Sequence, residues 1–66
     1  MKICDFVNSE LEYIRSEANF TKEERLLFDM RAEDIPLEQC AEIMNISAST
    51  VYRLSKKVKI KVEKLL

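Results

Sequence analysis

DIPLEQCAEIMNISASTVYRLSKK, residues 34–57, is the stretch whose reading decides the fold. Apolar or small side chains fall at Leu37, Cys40, Ala41, Met44, Ile46, Val51 and Leu54. The steps of three, four and seven from Leu37 to Cys40, Ala41 and Met44 trace one face of a helix. Pro36 suits the first turn of that helix, where its missing N–H would have no intrahelical partner. Asn45 follows the last periodic residue, and Asn enters the left-handed conformation that stops a helix more readily than other non-glycine residues. Ser47 then caps a second helix through its hydroxyl oxygen, and Val51, Leu54 and Val58 continue the buried stripe. Two short helices joined by a tight turn make a helix-turn-helix.

The second of these helices can be laid out by angle, with Val51 at zero and about 100° per residue. Val51, Leu54, Val58, Val62 and Leu65 share one narrow face, which is the core side. Ser49, Tyr52, Arg53, Lys56 and Lys57 lie around the opposite face. Those side chains suit a DNA groove: Ser and Tyr donate to phosphates or base edges, Arg binds guanine through two hydrogen bonds, and Lys neutralises phosphate. The free N–H groups of Ala48 and Ser49 at the helix start form an anion site of their own. Within the same helix Val58-Lys59-Ile60-Lys61-Val62 alternates strictly between apolar and basic, a pattern that also suits a strand. The helical assignment is preferred because the stripe from Val51 to Leu65 never breaks phase. It points Ile60 directly away from the core, as a bare apolar residue or a contact with another protein.

The residues Glu38-Gln39-Cys40-Ala41-Glu42-Ile43-Met44-Asn45-Ile46-Ser47, followed by Ser49-Thr50-Val51, resemble the helix-turn-helix of bacterial sigma factor region four. The LuxR-type regulator domains share the pattern. Phe20-Thr21-Lys22-Glu23-Glu24-Arg25 is similar to the segment that opens the preceding helix in both families, so the resemblance spans about two thirds of the chain. Two positions depart from it. Gly is usual where Asn45 stands, and Ile or Val where Cys40 stands; Asn tolerates the left-handed region and a thiol packs as a small hydrophobe. The resemblance implies contact positions at Ser47, Ala48, Ser49, Tyr52, Arg53 and Lys56. Together with the angular reading, the expected DNA-binding set is Ser47, Ala48, Ser49, Thr50, Tyr52, Arg53, Lys56 and Lys57. The LuxR-type domain adds a further helix for pairing, whereas the last helix here runs to the end, so the sigma-type comparison is closer.

The rest of the chain is read as support for that motif. Sixty-six residues allow one domain, residues 1–66, with a small core. No Gly, one Pro and 35% charged residues favour helices with short connections over a turn-rich β fold. The spacing of Ile3, Val7, Leu11 and Ile14, with Phe6 and Tyr13 beside them, predicts a first helix from position 4 or 5 to about 18, within a unit of residues 1–19. Thr21 and Glu24 form a capping box, with Phe20 just before it, and open a second helix over about 22–32 within residues 20–33. That helix is expected to bury Leu27 and Met30 and part of Leu26 and Phe28. Glu33-Asp34-Ile35 connects it to the motif, residues 34–66, and Ile35-Pro36 disfavours a continuous helix. The expected fold is therefore all-α, a compact four-helix domain whose last two helices form the helix-turn-helix.

Charge is divided along the chain. Residues 1–46 hold five basic and eleven acidic side chains, net −6; residues 47–66 hold six basic and one acidic, net +5. A positive helix on an acidic body is the footprint of a small nucleic-acid binder, although exposed helices commonly carry lysines. The acidic cluster Glu33, Asp34, Glu38 and Glu42 reads as a solvated face. No histidine is present, which removes the commonest general base, and no Ser, Cys or Lys has an evident activating partner, so no catalytic site is expected. No metal or other cofactor is expected either. Two cysteines 36 positions apart make neither a metal pair nor a disulfide framework. Cys40 reads as a buried structural thiol, Cys4 as a site of adventitious oxidation. Charge at Lys2 and Asp5 argues against a secretory signal, and nothing approaches a membrane span, so a reducing cytoplasm is expected. Met1 favours a freestanding regulator over an excised domain, and the length excludes a whole sigma factor. Expected partners are double-stranded DNA, RNA polymerase and a second copy of the chain, with no membrane and no small-molecule substrate. The alternative function is a protein-binding adaptor that keeps the fold and acts on polymerase or another regulator.

Overall fold

A computed structural model describes residues 2–66; Met1, read above as the start of a freestanding chain, lies outside them. A single 3-10 turn at Ile3–Asp5 is followed by α1 (Asn8–Glu17), α2 (Lys22–Ala32), α3 (Leu37–Met44) and α4 (Ala48–Glu63). The protein is all-α, and its last two helices form a helix-turn-helix.

Local chemistry sets each helix boundary. At the start of α2 the Thr21 hydroxyl accepts from the Glu24 N–H at 3.3 Å, and the Glu24 carboxylate accepts from the Thr21 N–H at 2.8 Å, completing the expected capping box. Phe20, just outside, sets its ring 5.2 Å from that of Phe28. At the far end of α3, Asn45 takes φ 58° and ψ 47°, the left-handed conformation expected of it. The Asn45 N–H then donates to Glu42 O at 3.2 Å and the Ile46 N–H to Ala41 O at 3.0 Å, a Schellman closure of the helix. α2 ends the same way. Asp34 is left-handed at φ 62°, with its N–H on Arg31 O at 3.0 Å and the Ile35 N–H on Met30 O at 3.1 Å. Arg31 adds a 2.6 Å bond from its guanidinium to Ile35 O. α4 begins at Ser47, whose Oγ accepts from the Thr50 N–H at 3.2 Å.

The first helix departs from expectation. A continuous helix from position 4 or 5 would turn Val7 inward, yet Phe6 and Val7 are extended and Val7 is 60% exposed. Val7 has no side-chain oxygen to cap α1, so Glu10 reaches back to its N–H at 3.0 Å. The break has a packing reason: it folds the Ile3–Asp5 turn back over α2, burying Ile3 and half-burying Phe6. Cys4 Sγ meets Asp34 Oδ1 at 3.6 Å on that path. Tyr13, placed beside the stripe by sequence, is exposed.

The core gathers Ile14 from α1, Leu27 and Phe28 from α2, Cys40 and Ala41 from α3, and Val51, Val58 and Val62 from α4. Leu27 and Met30 are buried as expected; Phe28 is fully buried as well and Leu26 is exposed, so the buried arc of α2 is shifted slightly toward Phe28 from the sequence reading. Leu54 and Leu65 pack at the core's edge, partly buried. Each fully buried Val stabilises the fold by about 1.5–2 kcal/mol, so the α4 stripe is a large share of a small core. It also decides which way the remaining faces of α4 point.

Candidate nucleic-acid interface

The stripe Val51, Val58 and Val62 is buried against α2 and α3, and this turns Ser49, Tyr52, Arg53, Lys56 and Lys57 outward. Four of the five expected polar contacts on that face, Ser49, Arg53, Lys56 and Lys57, are exposed with no hydrogen bond or ion pair to another side chain among the described residues. Tyr52 is exposed beside them. Over the sixteen residues of α4, about 24 Å, residues 48–57 present this face and the free N–H groups of the helix start together.

Ser47 and Thr50 sit differently. Their hydroxyls are 2.8 Å apart, and Ser47 Oγ also holds the Thr50 N–H, so both are engaged in building the helix start. Thr50 is half-buried. Ala48 is exposed and offers its backbone N–H. The eight expected residues thus divide: Ser47 and Thr50 build the start of α4, and Ala48, Ser49, Tyr52, Arg53, Lys56 and Lys57 are exposed.

Lys61, one of the six basic residues in 47–66, is turned inward. Its ammonium donates to Glu24 Oε1 at 2.5 Å and to Asn19 O at 2.6 Å. Glu24 is 3% exposed and the same oxygen accepts the Thr21 N–H, so the α2 cap and the α4 anchor share one carboxylate. Burial pushes the Glu24 carboxyl up, but hydrogen bonds from Lys61 and the Thr21 N–H and the Lys61 charge together hold it below the usual value of 4.5. The helical angle of Lys61, on the flank shared by Leu54 and Leu65, was the available signal. The positive charge left for a partner is Arg53, Lys56, Lys57, Lys59 and Lys64.

Elsewhere the titratable groups serve the fold. Burial raises the Cys40 thiol, whose Sγ points at Ile35 O 3.7 Å away. Desolvation and the neighbouring Asp34 raise the Cys4 thiol. Both cysteines are thus poor thiolates at neutral pH. Arg15 pairs with Asp29 at 2.7 Å and lies 5.9 Å over the Phe28 ring. Among the described residues no group of three or more His, Cys, Asp or Glu is placed to hold a metal, and no helix is long and apolar enough to cross a membrane. No protein-family model, no curated protein and no solved structure matches the chain.

Proposed function

We propose that this protein binds duplex DNA by laying the N-terminal part of α4, residues 48–57, in the major groove, and that it regulates transcription in the cytoplasm of a bacterium or as the product of a bacterial virus. The observation that carries the reading is the unpartnered face of Ser49, Tyr52, Arg53, Lys56 and Lys57 beside the start of α4, on a helix held rigidly by its opposite stripe. Arg53 stands one turn into the helix, where a forked guanidinium reaches a guanine edge. Lys56 and Lys57 meet phosphate, and the N–H groups of Ala48 and Ser49 seat on another. The likeness of residues 38–51 to sigma region four supports the same face and the same role.

A second reading, an adaptor that docks on RNA polymerase or another regulator, is favoured by the exposed Ile60 and by the acidic outer sides of α1 and α3. Titration of labelled duplexes at several salt concentrations separates the two. DNA binding predicts affinity that falls log-linearly with salt, with a slope set by the phosphates neutralised, about two for Lys56 and Lys57. Absence of salt-dependent binding to any duplex removes the DNA reading and leaves the adaptor.

A further inference from the structure

We infer that Ile60 is a specificity-determining residue that packs on the C5-methyl group of a thymine; the inference rests on the DNA reading and extends it past residue 57. Its basis is the direction of the outward face of α4. With Val51 at zero, Ser49, Arg53, Lys56, Ile60 and Lys64 fall at about 160°, 200°, 140°, 180° and 220°. All five are exposed, and they stand opposite the buried Val51, Val58 and Val62. Ile60 thus shares a line with Arg53, two turns further along a helix that runs unbroken from Ala48 to Glu63. Seven residues of α-helix advance about 10 Å, which matches about three base pairs at about 3.4 Å each. A helix that sets Arg53 against a guanine edge carries Ile60 over the groove floor about three base pairs away.

The fold does not account for Ile60. It is 54% exposed on the side of α4 turned away from the core. Its neighbours one turn to either side are Lys56, Lys57, Glu63 and Lys64. None of those lysines forms an ion pair among the described residues. Glu63 lies about 60° round the helix, on the Tyr52 side, and leaves the line open. A branched apolar side chain set in a row of free cations fits a surface that is anionic at its rims and apolar at a point on its floor. The major groove has that pattern: phosphates along both edges and, at each A·T pair, a thymine methyl among the hydrogen-bonding atoms. Arg53 and Ile60 then read two bases by different chemistry, one by a forked hydrogen bond and one by burial of a methyl.

The test takes the full chain and a duplex that it selects from a random-sequence pool, with each thymidine replaced in turn by deoxyuridine. That change keeps the base pair and removes only the methyl group. At one position, about three base pairs from the guanine whose replacement Arg53→Ala tolerates, uracil should weaken wild-type binding about fourfold, the worth of one buried methyl. Ile60→Ala should weaken binding to the thymine duplex at least as much and be indifferent to uracil at that position, so the two losses do not add. Its salt slope should match the wild type, because no phosphate contact is lost. The position is exposed, and circular dichroism checks that the helices are kept. A wild type that selects a duplex yet has no uracil-sensitive thymine overturns the inference and leaves the DNA reading standing. So does a uracil loss that persists undiminished in Ile60→Ala, or an Ile60→Ala change that weakens all duplexes alike or none. Absence of salt-dependent binding to any duplex removes both.

Discussion

The N-terminal and C-terminal parts of α4, residues 48–57 and 58–63, share a pattern and differ in task. Both carry valine on the core side and basic residues elsewhere. In the N-terminal part Arg53, Lys56 and Lys57 stand in solvent with no ion pair among the described residues. In the C-terminal part, Lys61 is turned inward onto a buried carboxylate and a backbone carbonyl, and the helix is pinned to the start of α2. The lesson is that a count of basic residues on a helix overstates the charge offered to a partner. One of the six here belongs to the fold.

The largest expected effect comes from breaking the pinned part. Lys61→Met strands Glu24, 3% exposed, without its cation and should cost about 3 kcal/mol at neutral pH, read as a fall in melting temperature. The matched change Lys56→Met in the free part should stay within about 0.5 kcal/mol. Equal losses would erase the distinction between the two parts. Acid adds a signed test. Because the folded Glu24 pKa lies below 4.5, its contribution in the wild type is complete above that value and is lost as pH falls through the folded pKa. In Lys61→Met the Lys61 hydrogen bond and charge are gone and burial is opposed only by the Thr21 hydrogen bonds, so the Glu24 carboxyl rises from its wild-type position and the deficit should shrink as the solution is acidified and Glu24 takes up a proton.

The stripe common to both parts comes next. Val51→Ala, at a fully buried position, should destabilise by about 2–3 kcal/mol, and Leu54→Ala, at the edge of the core, by about 1–2 kcal/mol despite its larger side chain. A melting temperature unmoved by Val51→Ala would mean that the helix is rotated from the position described, and the outward face with it.

Changes in the free part should act on DNA rather than on stability. Arg53→Ala should cost about 1–3 kcal/mol at the preferred site and flatten the preference among sites, measured by competition between duplexes. Smallest of all, Lys56→Ala should weaken every duplex alike, by about 1 kcal/mol or less, and lower the salt slope by about one unit. A Lys56→Ala effect confined to one DNA sequence would assign that lysine to base readout instead.

The two helix stops show how much of the fold was legible. Asn45 was read from sequence because it follows a clear apolar period and precedes a capping serine. Asp34 adopts the same left-handed stop with the same hydrogen bonds, and went unread. Asp is a less frequent occupant of that position, and the Ile35-Pro36 step already explained why α2 ended. The break at Phe6 and Val7 was hidden for a different reason. Ile3, Val7, Leu11 and Ile14 fit one helical face, so periodicity alone extends the helix through a point where long-range packing folds the chain back.

What the sequence determined by itself was local: the capping box at Thr21 and the cap at Ser47, the stop at Asn45, the bounds of α2, α3 and the start of α4, and the valine stripe that turns Ser49, Tyr52, Arg53, Lys56 and Lys57 outward. These follow from contacts within one turn or one helical face, which spacing encodes directly. The tertiary structure decided the rest: the inward turn of Lys61, the burial of Glu24 and Phe28, the exposure of Val7 and Tyr13, and the meeting of residues 17–19 with Lys61, Lys64 and Leu65. Each depends on which residues distant in the chain become neighbours. A lysine 37 positions from its carboxylate carries no local mark of that pairing until the helices have packed.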